Sequence, residues 1–130
     1  MHKSKTSEKG EVGEGIACDF LRGKGFRIIE RNFRKPWGEI DVIAEKGGVI
    51  HFVEVKAGSR DLSTAGSREI DYRPEEMATA WKLHKVARTA AIYMESKRDR
   101  REFQIDVLGV LMDPIRRVAR CRFFEQALGN

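Results

Sequence analysis

The segment GEIDVIAEKGGVIHFVEVK, Gly38 to Lys56, limits the possible folds more than any other part of the chain. Apolar and polar residues alternate on both sides of Gly47 and Gly48. This pattern predicts two antiparallel strands, Glu39–Lys46 and Val49–Lys56, that are joined by a two-residue turn. The chain therefore needs a sheet that contains this hairpin.

The short turn also fixes which residues of the two strands face each other, because facing residue numbers must sum to 95. Three facing pairs follow from this register: Lys46–Val49, Asp41–Glu54 and Glu39–Lys56. Successive side chains of a strand point to opposite faces of the sheet. The charged residues of the last two pairs would share one face, and the other face would be apolar, formed by Ile40, Val42, Ala44, Val53 and Val55.

The predicted pair of acids suggests a metal site. Facing side chains lie about 4.5–5.5 Å apart at Cβ, so Asp41 and Glu54 would repel each other. A divalent cation would offset this cost, and one or two carboxylates with water are typical ligands of Mg²⁺. Lys56, two residues after Glu54, would reach the same point. A metal ion, two carboxylates and an ammonium suit phosphodiester hydrolysis, because the ion acidifies a water molecule and neutralises phosphate charge.

The same charged residues also fit a solvated face of the sheet. One face of an antiparallel sheet is often polar. Glu39 and Lys56 would then form a surface ion pair that contributes little to stability. Composition and spacing alone leave both interpretations open.

The other segments predict a mixed α/β (α+β) fold. Their expected structures are a helix from about Glu8 to Lys24, a strand in FRIIERNFR, a polar loop over 58–73, a helix from Pro74 and Glu75 to about Lys97, and a strand Phe103–Leu111. The segment VARCRFFEQAL fits either a short strand or a short helix. We expect the order α-β-β-β-α-β, with a flexible N-terminal tail over residues 1–9 and a single domain over residues 10–130.

Composition suggests the type of partner and the compartment. The net charge of +5 is compatible with a polyanionic partner. No apolar run approaches the ~18 residues that span a bilayer, so no membrane partner is expected. The polar start lacks the apolar core of a signal peptide. Cys18 and Cys121 are expected to be reduced thiols, and we expect a cytoplasmic protein.

GEID and VEVK carry a family resemblance. Together with the upstream GEVGEGIACDFLRGKGFRIIERNFR, they make the chain resemble the YraN-like family of bacterial proteins. That family is similar to the PD-(D/E)XK, or restriction-endonuclease-like, nuclease superfamily, which includes archaeal Holliday junction resolvases. The resemblance extends from about Val12 to Leu111. It implies a restriction-endonuclease-like core, with a central mixed β-sheet flanked by helices.

The resemblance assigns roles to individual residues. Asp41 and Glu54 would bind the metal, Mg²⁺ or Mn²⁺, and Lys56 would position the attacking water. Glu14, on the first helix, would complete the acidic set, and Glu39 would hold Lys56 or a metal-bound water. Helical spacing places Glu14 at the border of the buried face. A solvated acid stabilised by the helix dipole is the alternative for Glu14.

The function implied by the resemblance is metal-dependent endonuclease (hydrolase) activity on nucleic acid. DNA is the expected partner, with branched or structured DNA as a candidate substrate. Five basic residues are expected to contact phosphates: Arg31, Arg34, Lys35, Lys82 and Lys85. A catalytically silent nucleic-acid-binding or repair-partner module of the same fold remains open, as does a structural or assembly protein. Small nucleases of this fold often act as homodimers, but the sequence indicates no interface.

Overall fold

The computed structural model describes residues 5–63 and 80–128, with the side chains of residues 10–63 and 82–128. Seven elements follow one another: α1 (Lys5–Gly23), β1 (Arg27–Lys35), β2 (Gly38–Lys46), β3 (Val49–Ser59), α2 (Ala80–Ser96), β4 (Phe103–Asp113) and β5 (Val118–Phe124). The predicted α+β class and element order are confirmed, with one further strand at the end. VARCRFFEQAL, for which the sequence left two possibilities, provides this strand, β5.

The five strands form one mixed sheet in the order β1-β2-β3-β4-β5. Neighbouring strands are antiparallel except for β3 and β4, which are parallel. A parallel pair needs a long crossover connection, and here the connection contains α2. Each helix packs against one face of the sheet, so both faces are covered.

The predicted hairpin register is confirmed. Lys46 faces Val49 and Val42 faces Val53, as the sum of 95 requires. Gly47 and Gly48 have φ angles of 60° and 80°, the positive values that a two-residue hairpin turn of this kind demands. The ladder ends at Val42 and Val53. The acids expected to face each other therefore lie just beyond its last pair.

The predicted apolar face is wrong at Ile40. Val42 packs with Ala44 and Val53 in the α1-side cluster, whereas Ile40 is buried in the α2-side cluster with Ile43. The alternation of side chains is broken at Asp41, between Ile40 and Val42. The Asp41 side chain accepts a hydrogen bond of 2.8 Å from the Val55 backbone N–H, which replaces regular strand pairing at this point.

The ends of the helices differ from the sequence prediction. Helix α1 begins at Lys5, so residues 5–9 belong to the helix and not to the expected tail, while residues 1–4 lie outside the described residues. Helix α2 ends at Ser96, close to the expected Lys97. The expected start of this helix at Pro74 and Glu75 also lies outside the described residues, together with most of the predicted polar loop.

A buried polar pair joins β3 to β4 on the α1 side. His51 Nδ1 lies 2.6 Å from Asp106 Oδ2, and both side chains are buried. Asp106 also accepts hydrogen bonds from the Gln104 side chain and the Gln126 backbone. This saturated set of contacts gives Asp106 a structural role.

Cys18 is fully buried and forms no disulfide. Neither described helix is long and apolar enough to cross a bilayer.

Candidate active site

Two clefts meet at the end of the β2–β3 ladder. The larger has a volume of about 320 Å³, and its lining includes Lys35, Glu39, Asp41, Glu54, Lys82 and Lys85. The smaller has a volume of about 240 Å³, and its lining includes Glu14, Asp41, Glu54 and Lys82. Asp41, Glu54 and Lys82 line both clefts. The junction of the two clefts is therefore an acidic centre with one ammonium group beside it.

Helix α1 brings Glu14 to this junction because Gly13 lets the helix approach β3 closely. A Cβ atom at Gly13 would lie 2.6 Å from the Cβ of Ala57, a distance that side chains do not tolerate. The next residue, Glu14, is only 8% exposed. Glu14 is therefore a buried acid at the sheet and not a solvated acid of the helix N-terminus.

The three acids interact electrostatically. Burial and the charge of Glu54 raise the pKa of Asp41 from 3.8 to about 7, against the smaller lowering effect of the Val55 N–H hydrogen bond. The charges of Glu54 and Glu14 both act on Asp41 in the same upward direction. Burial also raises the pKa of Glu14, although the charges of Arg31 and Arg34 oppose this shift. In the metal-free protein, the site therefore resists holding all its negative charges at once.

One buried oxygen of the acidic centre, Glu14 Oε1, has no hydrogen-bond partner among the described residues. A buried acceptor without a partner is costly. Within residues 10–63 and 82–128, no three acidic, histidine or cysteine side chains are already arranged as a metal-ligand group. Mg²⁺, however, commonly uses one or two carboxylates and keeps several waters. Asp41 and Glu54, with Glu14 nearby, fit that mode of binding.

The lysine at the acidic centre is not the one expected from the sequence. Lys82 Nζ lies 2.6 Å from Glu54 Oε1, so its ammonium belongs to the acidic centre itself. Lys56 is partly buried on β3 and pairs with Gly109 of β4. It does not line either cleft. Of the two lysines, Lys82 is therefore the one in contact with Glu54, and the role expected of Lys56 stays a prediction.

Glu39 also has a different partner from the one expected. Its carboxylate is exposed and lies 3.1 Å from Arg34 Nη1 on the neighbouring strand. The expected contact with Lys56 is replaced by this cross-strand ion pair. Glu39 still lines the larger cleft, where its charge acts on Lys82.

The five predicted phosphate-binding residues lie around the acidic centre. Arg31, Arg34 and Lys35 are exposed on β1, and Lys82 and Lys85 are exposed on α2. Lys35, Lys82 and Lys85 line the larger cleft, while Arg31 and Arg34 lie close enough to Glu14 to affect its pKa. Trp37, in the turn between β1 and β2, is 50% exposed. The acids therefore lie inside a mostly basic rim.

The sequence contains no local signal for the contact between Lys82 and Glu54. The two residues are separated by 28 positions, and the segment between them includes the loop and the start of α2. The helical pattern predicts which residues of α2 are polar, but it does not fix the rotation and position of the helix over the sheet. Only the packed structure places Lys82 against Glu54.

The fold and site define a small α+β protein with an acidic centre at the junction of two clefts. In comparison with known proteins, the model of "Uncharacterised protein family UPF0102" matches residues 13–110. The matched segment includes all three acids and Lys82. The UPF0102 protein of Campylobacter lari is 40% identical over 107 residues, or 82% of this chain and 87% of that relative. The UPF0102 protein of Dictyoglomus turgidum is 32% identical over 122 residues, or 92% and 96% of the two chains. The chain belongs to the UPF0102 family, which confirms the YraN-like assignment.

Proposed function

We propose that this protein is a metal-dependent nuclease of the PD-(D/E)XK, restriction-endonuclease-like type. It would hydrolyse phosphodiester bonds in nucleic acid, with branched or structured DNA as the first candidate substrate. The observation that carries the proposal is the meeting of the Asp41 and Glu54 carboxyl groups at the junction of two clefts, with the unpartnered Glu14 oxygen beside them.

Asp41 and Glu54 are the groups that would hold Mg²⁺ or Mn²⁺, with Glu14 as the third acid. When bound, the ion would neutralise phosphate charge and acidify a water molecule. The Val55 N–H fixes one oxygen of Asp41, so the orientation of this carboxyl is already set. A preset orientation limits the reorganisation that metal binding requires.

The basic rim would hold the nucleic-acid backbone over the acids. Lys35 and Lys85 line the larger cleft, and Arg31 and Arg34 lie on the side of Glu14. Contacts of this kind position a phosphate backbone without selecting a base sequence. The exposed ring of Trp37, next to Lys35, is suited to stacking on an unpaired base. These features support a substrate that has accessible bases near the cleavage point.

Cleavage assays with a panel of labelled single-stranded, duplex and branched DNA and RNA test the proposal. In the presence of Mn²⁺, the wild type should cut at least one substrate, and Asp41→Asn should reduce the rate by at least about a hundredfold, since one metal ligand loses its charge. Arg120→Gln, a change on β5 away from both clefts, is the matched control and should cut normally. Equal cleavage by the wild type and Asp41→Asn would reject the assigned chemistry.

A non-catalytic nucleic-acid-binding module is the second candidate, and one contact favours it. The ion pair of 2.6 Å between Lys82 and Glu54 neutralises one acid without any metal. Calorimetric titration with Mg²⁺ or Mn²⁺ separates the candidates. The nuclease should bind the ion at millimolar concentration or below, and Asp41→Asn should weaken this binding. No binding by the wild type, together with salt-dependent DNA binding, would support the module.

A further inference from the structure

Lys82 is placed at the acidic centre by α2, the helix that crosses between the parallel strands. Its Nζ atom lies 2.6 Å from Glu54 Oε1, and the Glu54 side chain is only 7% exposed. The Lys82 side chain itself is 47% exposed. One end of this ion pair is therefore fixed in the protein, while the other end is a flexible side chain with access to solvent.

Three acids lie near the Lys82 ammonium. Burial alone would lower the pKa of Lys82. The hydrogen bond and charge of Glu54, together with the charges of Asp41 and Glu39, outweigh this effect, so the net shift of the pKa is upward. Its ammonium takes the position beside Glu54 that a bound cation would also favour.

The two lysines differ in their access to a substrate. Lys82 lines both clefts together with Asp41 and Glu54, so a phosphate that reaches the junction passes next to it. Lys56 does not line either cleft, although it is two residues from Glu54. In a strand, residues two apart point to the same face but lie ~6–7 Å apart along the chain.

We infer that Lys82, and not Lys56, is the lysine of this active site. It neutralises Glu54 in the metal-free protein, leaves that carboxylate when a metal ion binds, and then contacts the phosphate at the junction of the clefts. This inference rests on the proposed nuclease function. A lysine side chain is a cation at neutral pH, so the contribution assigned to Lys82 is that of its positive charge. The length and flexibility of a lysine side chain suit this exchange of partners.

Mn²⁺ titration by calorimetry tests the exchange without any measurement of activity. Lys82→Met keeps the aliphatic stem but removes the charge that competes for Glu54, so it should bind Mn²⁺ about tenfold more tightly than the wild type. Lys82→Arg keeps a cation and should remain within about threefold of the wild type. Lys85→Met removes the same charge from the same helix and cleft, and Lys56→Met removes it from β3. Both should change the affinity by less than about twofold.

Cleavage under saturating Mn²⁺ provides the second measurement. Lys82→Met should lose at least about a hundredfold in rate, while Lys56→Met should keep the rate within about tenfold of the wild type. Circular dichroism at several temperatures checks that each variant is folded. Equal Mn²⁺ affinities for Lys82→Met and Lys85→Met would overturn the inference. Loss of cleavage in Lys56→Met but not in Lys82→Met would also overturn it.

The two proposals fail in different ways. If the wild type cuts none of the tested nucleic acids, the nuclease function fails, but the Mn²⁺ affinities still decide whether Lys82 competes for Glu54. If the wild type cuts and Lys82→Met binds Mn²⁺ no more tightly, the nuclease function stands and the assignment of Lys82 fails.

Discussion

We expect Asp41→Asn to stabilise the metal-free protein above neutral pH. The asparagine oxygen can still accept the hydrogen bond that the Val55 N–H donates to Asp41, so the local geometry is kept. The substitution removes the charge that Glu54 repels. Its effect therefore reports on the cost of burying the Asp41 charge and of placing it beside Glu54.

The sign of this effect follows from the raised pKa of Asp41. Below pH ~4, the carboxyl holds its proton in both the folded and the unfolded chain. As the pH rises from 3.8 to about 7, the unfolded chain loses this proton while the folded chain keeps it. The folded chain then binds more protons, so its stability decreases with pH and remains reduced above pH 7. Asparagine does not titrate, so the variant lacks this loss.

The size of the effect is set by the difference between the two pKa values. About three pKa units correspond to an upper limit of roughly 4 kcal/mol. Asp41 is only partly buried, so solvent reduces this figure, and we expect a gain of about 1 to 3 kcal/mol at pH 8. For a chain of 130 residues, this is an increase of roughly 4 to 11 °C in Tm.

Urea and thermal unfolding at pH 5 and pH 8, in the presence of a chelator, measure the gain. The advantage of Asp41→Asn over the wild type should be larger at pH 8 than at pH 5. Glu39→Gln is the matched control, because it removes an exposed carboxylate of the same strand and should change stability by less than about 1 kcal/mol at both pH values. Mn²⁺ should then stabilise the wild type more than Asp41→Asn.

Either of two results would refute this reasoning. An Asp41→Asn variant that is no more stable than the wild type at pH 8 would show that burial and the charge of Glu54 do not raise the pKa of Asp41 as described. A stability difference that is the same at both pH values would show that the effect does not come from titration of Asp41.

Three further predictions concern the structure around the site. Gly13→Ala should cost about 1 to 3 kcal/mol in urea unfolding, because its Cβ would collide with β3, whereas Gly10→Ala, with open space around its Cβ, should gain up to about 1 kcal/mol. Asp106→Ala should cost roughly 3 kcal/mol in the same assay, because it leaves buried His51 without its partner, and it should leave Mn²⁺ affinity unchanged. Arg34→Gln should make the negative slope of log K (the DNA association constant) against log salt concentration shallower by about 1. An unchanged slope would exclude a phosphate contact by Arg34.

The sequence predicts the central hairpin well because local rules determine it. Gly47 and Gly48 allow a turn with positive φ angles, and that turn fixes the register over the whole ladder. The position of Ile40 could not be predicted in this way. The simple alternation of faces fails where the side chain of Asp41 binds the backbone of the adjacent strand, and no sequence pattern reveals that contact.

The acids of the site and Lys82 also differ in how far local sequence rules determine their positions. Asp41 and Glu54 follow from strand register, whereas Glu14 follows from the family resemblance, and helical spacing places it only at the border of the buried face. The position of Lys82 depends on how α2 packs across the sheet. Strand spacing and the family resemblance both indicate Lys56, whereas only tertiary packing brings Lys82 to Glu54.

The order of the charged residues along the chain has a consequence for assembly. Glu14, Asp41 and Glu54 all precede residue 60, whereas the ammonium beside Glu54 belongs to a helix that is synthesised later. A nascent or truncated chain that lacks this helix would carry the full set of acids without that counter-charge. Packing of α2 against the sheet therefore brings the Lys82 charge to Glu54. Movement of α2 away from the sheet would remove this charge and leave Glu54 without its ion pair.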